Sequence, residues 1–358
     1  MLATKNDWQH VLPFIHREIN MEIIYLTDIH DNLSQLKTVL STTKADLYII
    51  SGDLIYKAFF TEDKLYHFVE LQENLYNYIR KNSLKLTPYE LSGKIIESPN
   101  DYTVKQKFDA EEYKSLFAKA LINMKAKYEL FKRVIETYSN AEVMIIPGNY
   151  DMDLQYTSLA KYDMHKRERR IADFDFAGYG GAPVITPGIP EMISVPFHEY
   201  TENGKNVSEA KEYFSQRNPD VLVIHNPAYG TLDKLPSYGH CGSIGIREYI
   251  DEKSPALVLS GHVHEDYGLL KVNGSFCLNP SNFGGVDSIH GWQEGGYYTH
   301  IEIHKQEQMR VKSLTLFRLR ENEKEARKIL EIKIDKRTRA SEFVYDEQEY
   351  ATLGQFLR

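Results

Sequence analysis

The sequence predicts an α/β fold whose strands are buried on both faces and whose polar residues gather at the strand exits. Three observations carry that expectation. A short aliphatic or β-branched run followed at once by Gly, Asp, Asn or His occurs five times, in "EIIYLTDIHD", "DLYIISGDL", "VMIIPGNYD", "VLVIHN" and "ALVLSGHVH". Runs of this length bounded by turn residues read as strands with no wet face. Roughly ninety residues separate the second and third clusters, far beyond a usual connection between strand and helix. A composition of 42% hydrophobic and 26% charged residues over 358 positions suits a soluble globular chain with a substantial core. Residues 1–358 are read as one domain.

Taken in order, the first twenty residues contain no sustained apolar run and no small-residue cleavage site, so no signal peptide is expected. No stretch approaches the ~20 apolar residues of a membrane span. Cys241 and Cys277 are the only cysteines, too few for a disulfide framework, which fits a reducing, cytoplasmic compartment. Residues 56–140 are expected to form a mainly helical insertion: "TEDKLYHFVELQENLYNYIRKN" and "DAEEYKSLFAKALINMKAKYELFKRVIETY" have apolar residues at helical spacing, with turn-rich "SGKIIESPNDYT" between them. The insertion's tyrosines read as packing residues rather than base-stacking platforms.

Further along, the run "HKRERR" (His165 to Arg170) reads as the solvated face of a helix. Ser243 is expected to cap the helix "IGIREYI", with that helix's amides adding an anion-binding edge to a cleft. Asn273-Gly274 suits a tight hairpin turn, and alternation in "HIEIH" puts His300 and His304 on the wet face of a strand. His67, His198 and His240 are assigned no role by their surroundings, though each stands where it could approach a cleft. Residues 318–358, rich in mixed charge, read as a peripheral arm or helix, with self-association through this arm or the insertion as one outcome.

The strand-exit clusters supply Asp28, His30, Asp53, Asn149, His225, His262 and His264. In open α/β sheets such exits converge on one crevice. In "DIH" the spacing of two aims Asp28 and His30 the same way if the extended conformation persists. Two carboxylates, an amide oxygen and four imidazoles form a mixed N/O set suited to Mn, Fe, Co or Zn rather than to Ca or a thiolate-loving metal. Seven ligands exceed one tetrahedral ion and suit two ions sharing a carboxylate.

The ordered series "DIH", "GDL", "GNYD", "IHN" and "GHVH" resembles the calcineurin-like metallophosphoesterases, whose motifs run D-x-H, G-D, G-N-H-D/E, H and G-H-x-H. The resemblance spans residues 22–282 apart from the insertion. It implies a four-layer α/β/β/α sandwich with two facing mixed β-sheets and a binuclear centre where strand ends meet. It also implies roles: Asp28, His30 and His264 on a first metal, Asn149, His225 and His262 on a second, Asp53 bridging, and Asp151 behind the ligands. Manganese is the first expectation, with Fe, Zn, Ni or Co as alternatives. Tyr150 stands where the family has its catalytic histidine. A narrower likeness, to a branch with H-x-P-P and N-P-G turns, is broken at Ala228 and Ser281, neither of them a ligand.

The implied activity is hydrolysis of a small phosphate ester, a phosphodiester first, by hydroxide bridging two metal ions. Two other classes compete. A metal-binding scaffold without catalysis is motivated by Tyr150, and a nuclease would require a basic groove. The net charge of −8 disfavours the nuclease, since sequence-independent capture of nucleic acid draws on surplus Lys and Arg.

Overall fold

A computed structural model describes residues 18–58, 61–184, 192–288, 291–337 and 339–358. The N-terminal stretch read for a targeting signal lies, through residue 17, outside the described residues. Two mixed sheets face each other. The larger runs Ala340–Val344, Arg327–Ile334, Met309–Arg318, Tyr297–Lys305, Ile19–Leu26, Leu47–Ser51 and Glu142–Ile146, with the last three parallel. The smaller runs Gly268–Val272, Ser275–Asn279, Leu257–Leu259, Val221–Ile224, Phe174–Tyr179 and Arg167–Ile171, its four inner strands parallel.

The apolar runs are continuous because both faces of each strand are covered. In Ile19–Leu26, Met21, Ile23 and Tyr25 enter the core between the sheets, while Ile24 and Leu26 face the helices outside. Leu47 and Ile49 alternate with Tyr48 and Ile50 in the same way. On the smaller sheet Val221 and Val223 point inward, while Leu222 and Ile224 meet Phe214, Ile246 and Tyr249 from the helices Glu209–Ser215 and Ile244–Lys253. Four layers result, α/β/β/α. Among the described residues no helix is long and apolar enough to cross a membrane.

Within residues 56–140 lie the helices Glu62–Lys81, Pro88–Glu97 and Val104–Tyr138. The middle helix occupies much of the stretch read as turns. Its start is fixed by Pro88 in the first turn and by a reciprocal capping box between Thr87 and Glu90, which outweighs the mid-helix cost of Gly93. Phe68, Tyr113, Phe117, Tyr128 and Phe131 share one apolar cluster with Ile24 and Ile50, so the insertion forms the outer layer over the larger sheet.

Two other expectations are corrected. "HKRERR" leads into an edge strand, Arg167–Ile171, rather than a helix. Its charges suit an edge that must not recruit another strand, with Arg170 making paired 2.6 Å bonds to Asp175. Residues 318–358 are less peripheral than their charge suggests. Arg327–Ile334 and Ala340–Val344 extend the larger sheet, and Glu347–Leu353 is a helix that returns the chain to the core. There Glu349 is buried against Arg318, Arg320 and the Tyr297 hydroxyl. Phe356 is fully buried between the sheets. Alternating Lys and Glu hide the apolar face of "RKILEIKI". His300 and His304 lie on the wetter face of Tyr297–Lys305, opposite buried Ile301 and Ile303, as alternation requires.

Removing the ring of Phe356 leaves a cavity in the inter-sheet core. Phe356→Ala is therefore expected to lower the unfolding free energy by about 3–5 kcal/mol, measured by denaturant titration; a loss under about 1 kcal/mol would show the tail to be dispensable.

Candidate metal centre

Thr27 and the residues after it leave the strand Ile19–Leu26 abruptly. Asp28 and His30 have φ of 53° and 45°, Asp53 has 43° and His262 has 68°. The extended geometry expected of "DIH" thus does not persist. Left-handed backbone at non-glycine residues is costly and tends to collect at functional sites. Here it is stabilised by cross-loop hydrogen bonds: Asp28 N–H to Gly52 O at 3.1 Å, His30 N–H to Asp53 O at 2.8 Å and Asp31 N–H to Leu54 O at 3.0 Å. Gly148 makes a very close approach. A Cβ there would lie 2.0 Å from Asp53 Oδ1, so only glycine lets the third strand exit pack on the second.

These turns gather the predicted residues into two groups, Asp28 with His30 and His264, and Asp53 with His225 and His262. Within each group one ligand atom per residue lies within 4.8 Å of the others. His264 Nε2 is 3.2 Å from Asp28 Oδ1 and 3.4 Å from His30 Nε2. His225 Nε2 is 3.4 Å from Asp53 Oδ1. Each group draws on both sheets. Asn149, next to Gly148, is buried, and its side-chain oxygen lacks a hydrogen-bond partner, as do Asp53 Oδ1 and His225 Nε2.

Buried acceptors without partners are expensive, and two imidazole nitrogens aimed at each other gain little without a cation between them. The donor set is mixed nitrogen and oxygen. On these grounds the residues fit a transition metal in each group. His225 Nδ1 lies 2.8 Å from Ser51 O, which assigns its proton and leaves Nε2 as the donor to a metal.

Charge follows the same geometry. Burial drives His30 and His262 down to about 4, with the neighbouring rings of His264 and His225 respectively adding to the effect. For His225 burial also favours the neutral ring, but the Asp53 carboxylate outweighs it and the pKa is pushed up to about 9. His264 is raised for the same reason, by Asp28. Burial opposes ionisation of Asp28 and Asp53, yet the imidazoles, His264 for the one and His225 for the other, hold both below the usual carboxylate range.

Asp151 belongs to neither group. Its buried carboxylate accepts from Gly148 N–H at 2.7 Å, Leu54 N–H at 3.0 Å and the Tyr128 hydroxyl at 3.0 Å, bracing two strand exits against the insertion. Burial and then Asp53 raise it to about 7. Tyr150 is 39% exposed on the same turn, outside both groups.

Three insertion residues that touch these loops escape a reading of the sequence. Tyr128 also accepts from Met152 N–H, Lys127 Nζ reaches Asp31 Oδ2 at 2.5 Å and Lys57 O at 2.8 Å, and Asn123 donates to Ala58 O at 2.6 Å. No motif marks them, because on a long amphipathic helix they look like any polar residue. The anion-binding edge expected at Ser243 is already taken. Ser243 caps Ile246 N–H, but the amides of Ile244 and Gly245 donate to the Glu199 carboxylate. His240 is bonded to Asp233 at 2.6 Å, His67 lies beside Glu70 on the insertion surface, and His198 is exposed; none enters either group.

Residues 108–266 match the calcineurin-like phosphoesterase family. The matched segment begins in the long insertion helix and ends just beyond "GHVH", so Asp28, His30 and Asp53 are supported by their own geometry. Solved structures with a similar fold include the TT1561 protein of Thermus thermophilus, at 12% identity over 79% of this chain and 94% of that one, with a TM-score of 0.40. Vacuolar protein sorting 29 from Cryptosporidium parvum is 10% identical over 91% of this chain and 99% of its own, at 0.35. The zinc complex of Vps29 from Entamoeba histolytica is 9% identical over 86% and 98%, at 0.34. These likenesses are remote. No curated protein matches the chain by sequence.

Because Asp53 pushes the pKa of His225 up to about 9 without metal, loading the centre must displace a proton. Calorimetric titration with Mn²⁺ at pH 7 is expected to release at least one proton per chain, with affinity rising as the pH approaches about 9. A heat of binding unaffected by the buffer's ionisation enthalpy would contradict this.

Proposed function

We propose that the protein hydrolyses a small phosphate ester, with a phosphodiester as the preferred class, at a pair of transition-metal ions. One observation carries the reading: two ligand groups, each with a carboxylate and two imidazoles, lie on strand exits drawn from both sheets. In this reading Asp28, His30 and His264 would hold one ion and Asn149, His225 and His262 the other, with Asp53 shared between them and manganese the first candidate. When bound, such a pair supplies Lewis acidity toward a phosphoryl oxygen and a nucleophile at neutral pH.

The rest falls to the chain's own groups. Asn149 offers a neutral oxygen, adding no negative charge where a phosphate must approach. Asp151 keeps the Gly148 turn seated on Leu54. Tyr150 can donate a hydrogen bond to a leaving oxygen, but a phenol is a poorer proton source than an imidazole near neutrality. Diesters with stable leaving groups need that proton least, which favours them over monoesters.

The same tyrosine favours a second reading, a metal-binding scaffold without turnover. A nuclease is a weaker third, given the net charge of −8. We place the protein in the cytoplasm, where a reducing environment suits its two free cysteines. Self-association through the insertion is suggested by exposed Phe108, Ile122 and Leu130.

Manganese-loaded protein is expected to cleave an aryl phosphodiester, and Asp53→Asn or His262→Ala to reduce kcat/KM by at least about 100-fold. Full activity in both variants would exclude the centre from catalysis. Two bound ions with no turnover across a panel of mono- and diesters would select the scaffold, and strongly salt-dependent binding of single-stranded DNA would select the nuclease.

A further inference from the structure

Beside His30 opens a cavity of about 520 Å³ whose walls include Tyr56, Trp292, Asn32, Asn322 and Arg320. Its size is that of a small-molecule site. One wall is a short hairpin, Val286–Ser288 with Gly291–Gln293. Its base rests on the ligand loop itself: Phe283 N–H donates to Thr27 O at 3.0 Å and Gly284 N–H to Asp28 O at 2.8 Å. Asp287 and Trp292 are directly paired across the hairpin and so share a face. Asp287 accepts from the Tyr56 hydroxyl at 2.9 Å, and the Tyr56 ring meets His30 edge-on with centroids 5.6 Å apart. The hairpin is therefore pinned to the metal loops at its base and through Asp287.

Trp292 lies against Gly285, where a Cβ would come within 2.3 Å of its Cζ2, and is still 59% exposed. An indole held in place yet open to a cavity beside a catalytic centre is a platform for a flat ring. The charges on the walls limit what that ring can be. Among the described lining residues the cation is Arg320, already paired with Glu349. The acids Asp31 and Glu294 are paired with Lys127 and Arg318 behind the wall, and Glu321 adds a further negative charge, so no unpaired cation faces the cavity. Such a lining disfavours a second phosphate or another anion and accepts a neutral, hydrogen-bonding heterocycle.

We propose that this cavity receives the base of a nucleoside phosphate, stacked on Trp292 beside the phosphate held at the metal groups. The proposal rests on the phosphoesterase reading for the phosphate only; the ring's position rests on Trp292, Tyr56 and the wall charges.

The test is binding of adenosine 5′-monophosphate against ribose 5-phosphate to the full manganese-loaded chain by calorimetry, together with tryptophan fluorescence in a Trp8→Phe background, where Trp292 is the sole indole. Adenosine monophosphate is expected to bind about tenfold or more tightly than ribose 5-phosphate, the scale of one stacked base, and to quench Trp292. Trp292→Ala should erase the difference while Trp292→Phe keeps most of it, with manganese content unchanged in both. Equal binding of the two phosphates, or a preference that survives Trp292→Ala, overturns the proposal. If the base preference and quenching appear in a protein that turns over no ester, the ring site stands and the hydrolytic reading fails. If alkyl and nucleoside diesters are cleaved alike with no quenching, the hydrolytic reading stands and the ring site fails.

Discussion

Everything around the centre follows from the difficulty of concentrating ionisable groups out of water. Asp28, Asp53 and Asp151 share one crevice with His30, His225, His262 and His264, at the carboxyl ends of strands that have no wet face. Burying any one of these groups alone would be prohibitive. The arrangement is tolerable because Asp28 meets His264 and Asp53 meets His225 at close range, and because the backbone amides of Gly148 and Leu54 bond the Asp151 carboxylate. The unusual backbone of the ligand loops is part of the same solution, since the left-handed turns at Asp28, His30 and Asp31 direct N–H groups to the carbonyls of Gly52, Asp53 and Leu54, zipping the first two strand exits together.

The two outer structures that crowd the crevice extend this logic. The long insertion helix sends Tyr128 under Asp151 and Lys127 beside Asp31, giving two carboxylates a partner that none of the motifs provides. From the other side the Trp292 hairpin rests on the carbonyls of Thr27 and Asp28. The ligand loops are thus held between elements far apart in sequence, and this fixes their geometry before any ion binds. Preorganisation of this kind lowers the cost of binding a metal, and of the electrostatic work expected of it.

What the sequence reveals and what it conceals divide along a physical line. Strands buried on both faces announce themselves as uninterrupted apolar runs, and each candidate ligand sits just beyond such a run, so Asp28, Asp53, Asn149, His225 and His262 can be named as candidates from order alone. Features whose meaning depends on a distant partner cannot. Tyr128 is indistinguishable from its neighbours until Asp151 arrives from another element. The capping box at Thr87 is masked locally by Gly93 and Pro99. In "RKILEIKI" the alternating charges look like a solvent-facing tail until the strand is seen to have a sheet to join. At Ser243 the cap itself is legible, and only the three-dimensional position of Glu199 shows that the helix end is already satisfied.

Each ligand group takes side chains from both halves of the sandwich: Asp28, His30 and Asp53 come from the larger sheet, and His225, His262 and His264 from the smaller. The crevice is therefore also a seam. An ion held in either group would act as a rivet between two sheets that otherwise adhere through apolar side chains, and any such ligand stabilises the native state in proportion to the logarithm of its concentration over its dissociation constant. Metal supply would then set how firmly the two halves are joined, and scarcity of the ion would reach the protein as a loosening of its architecture.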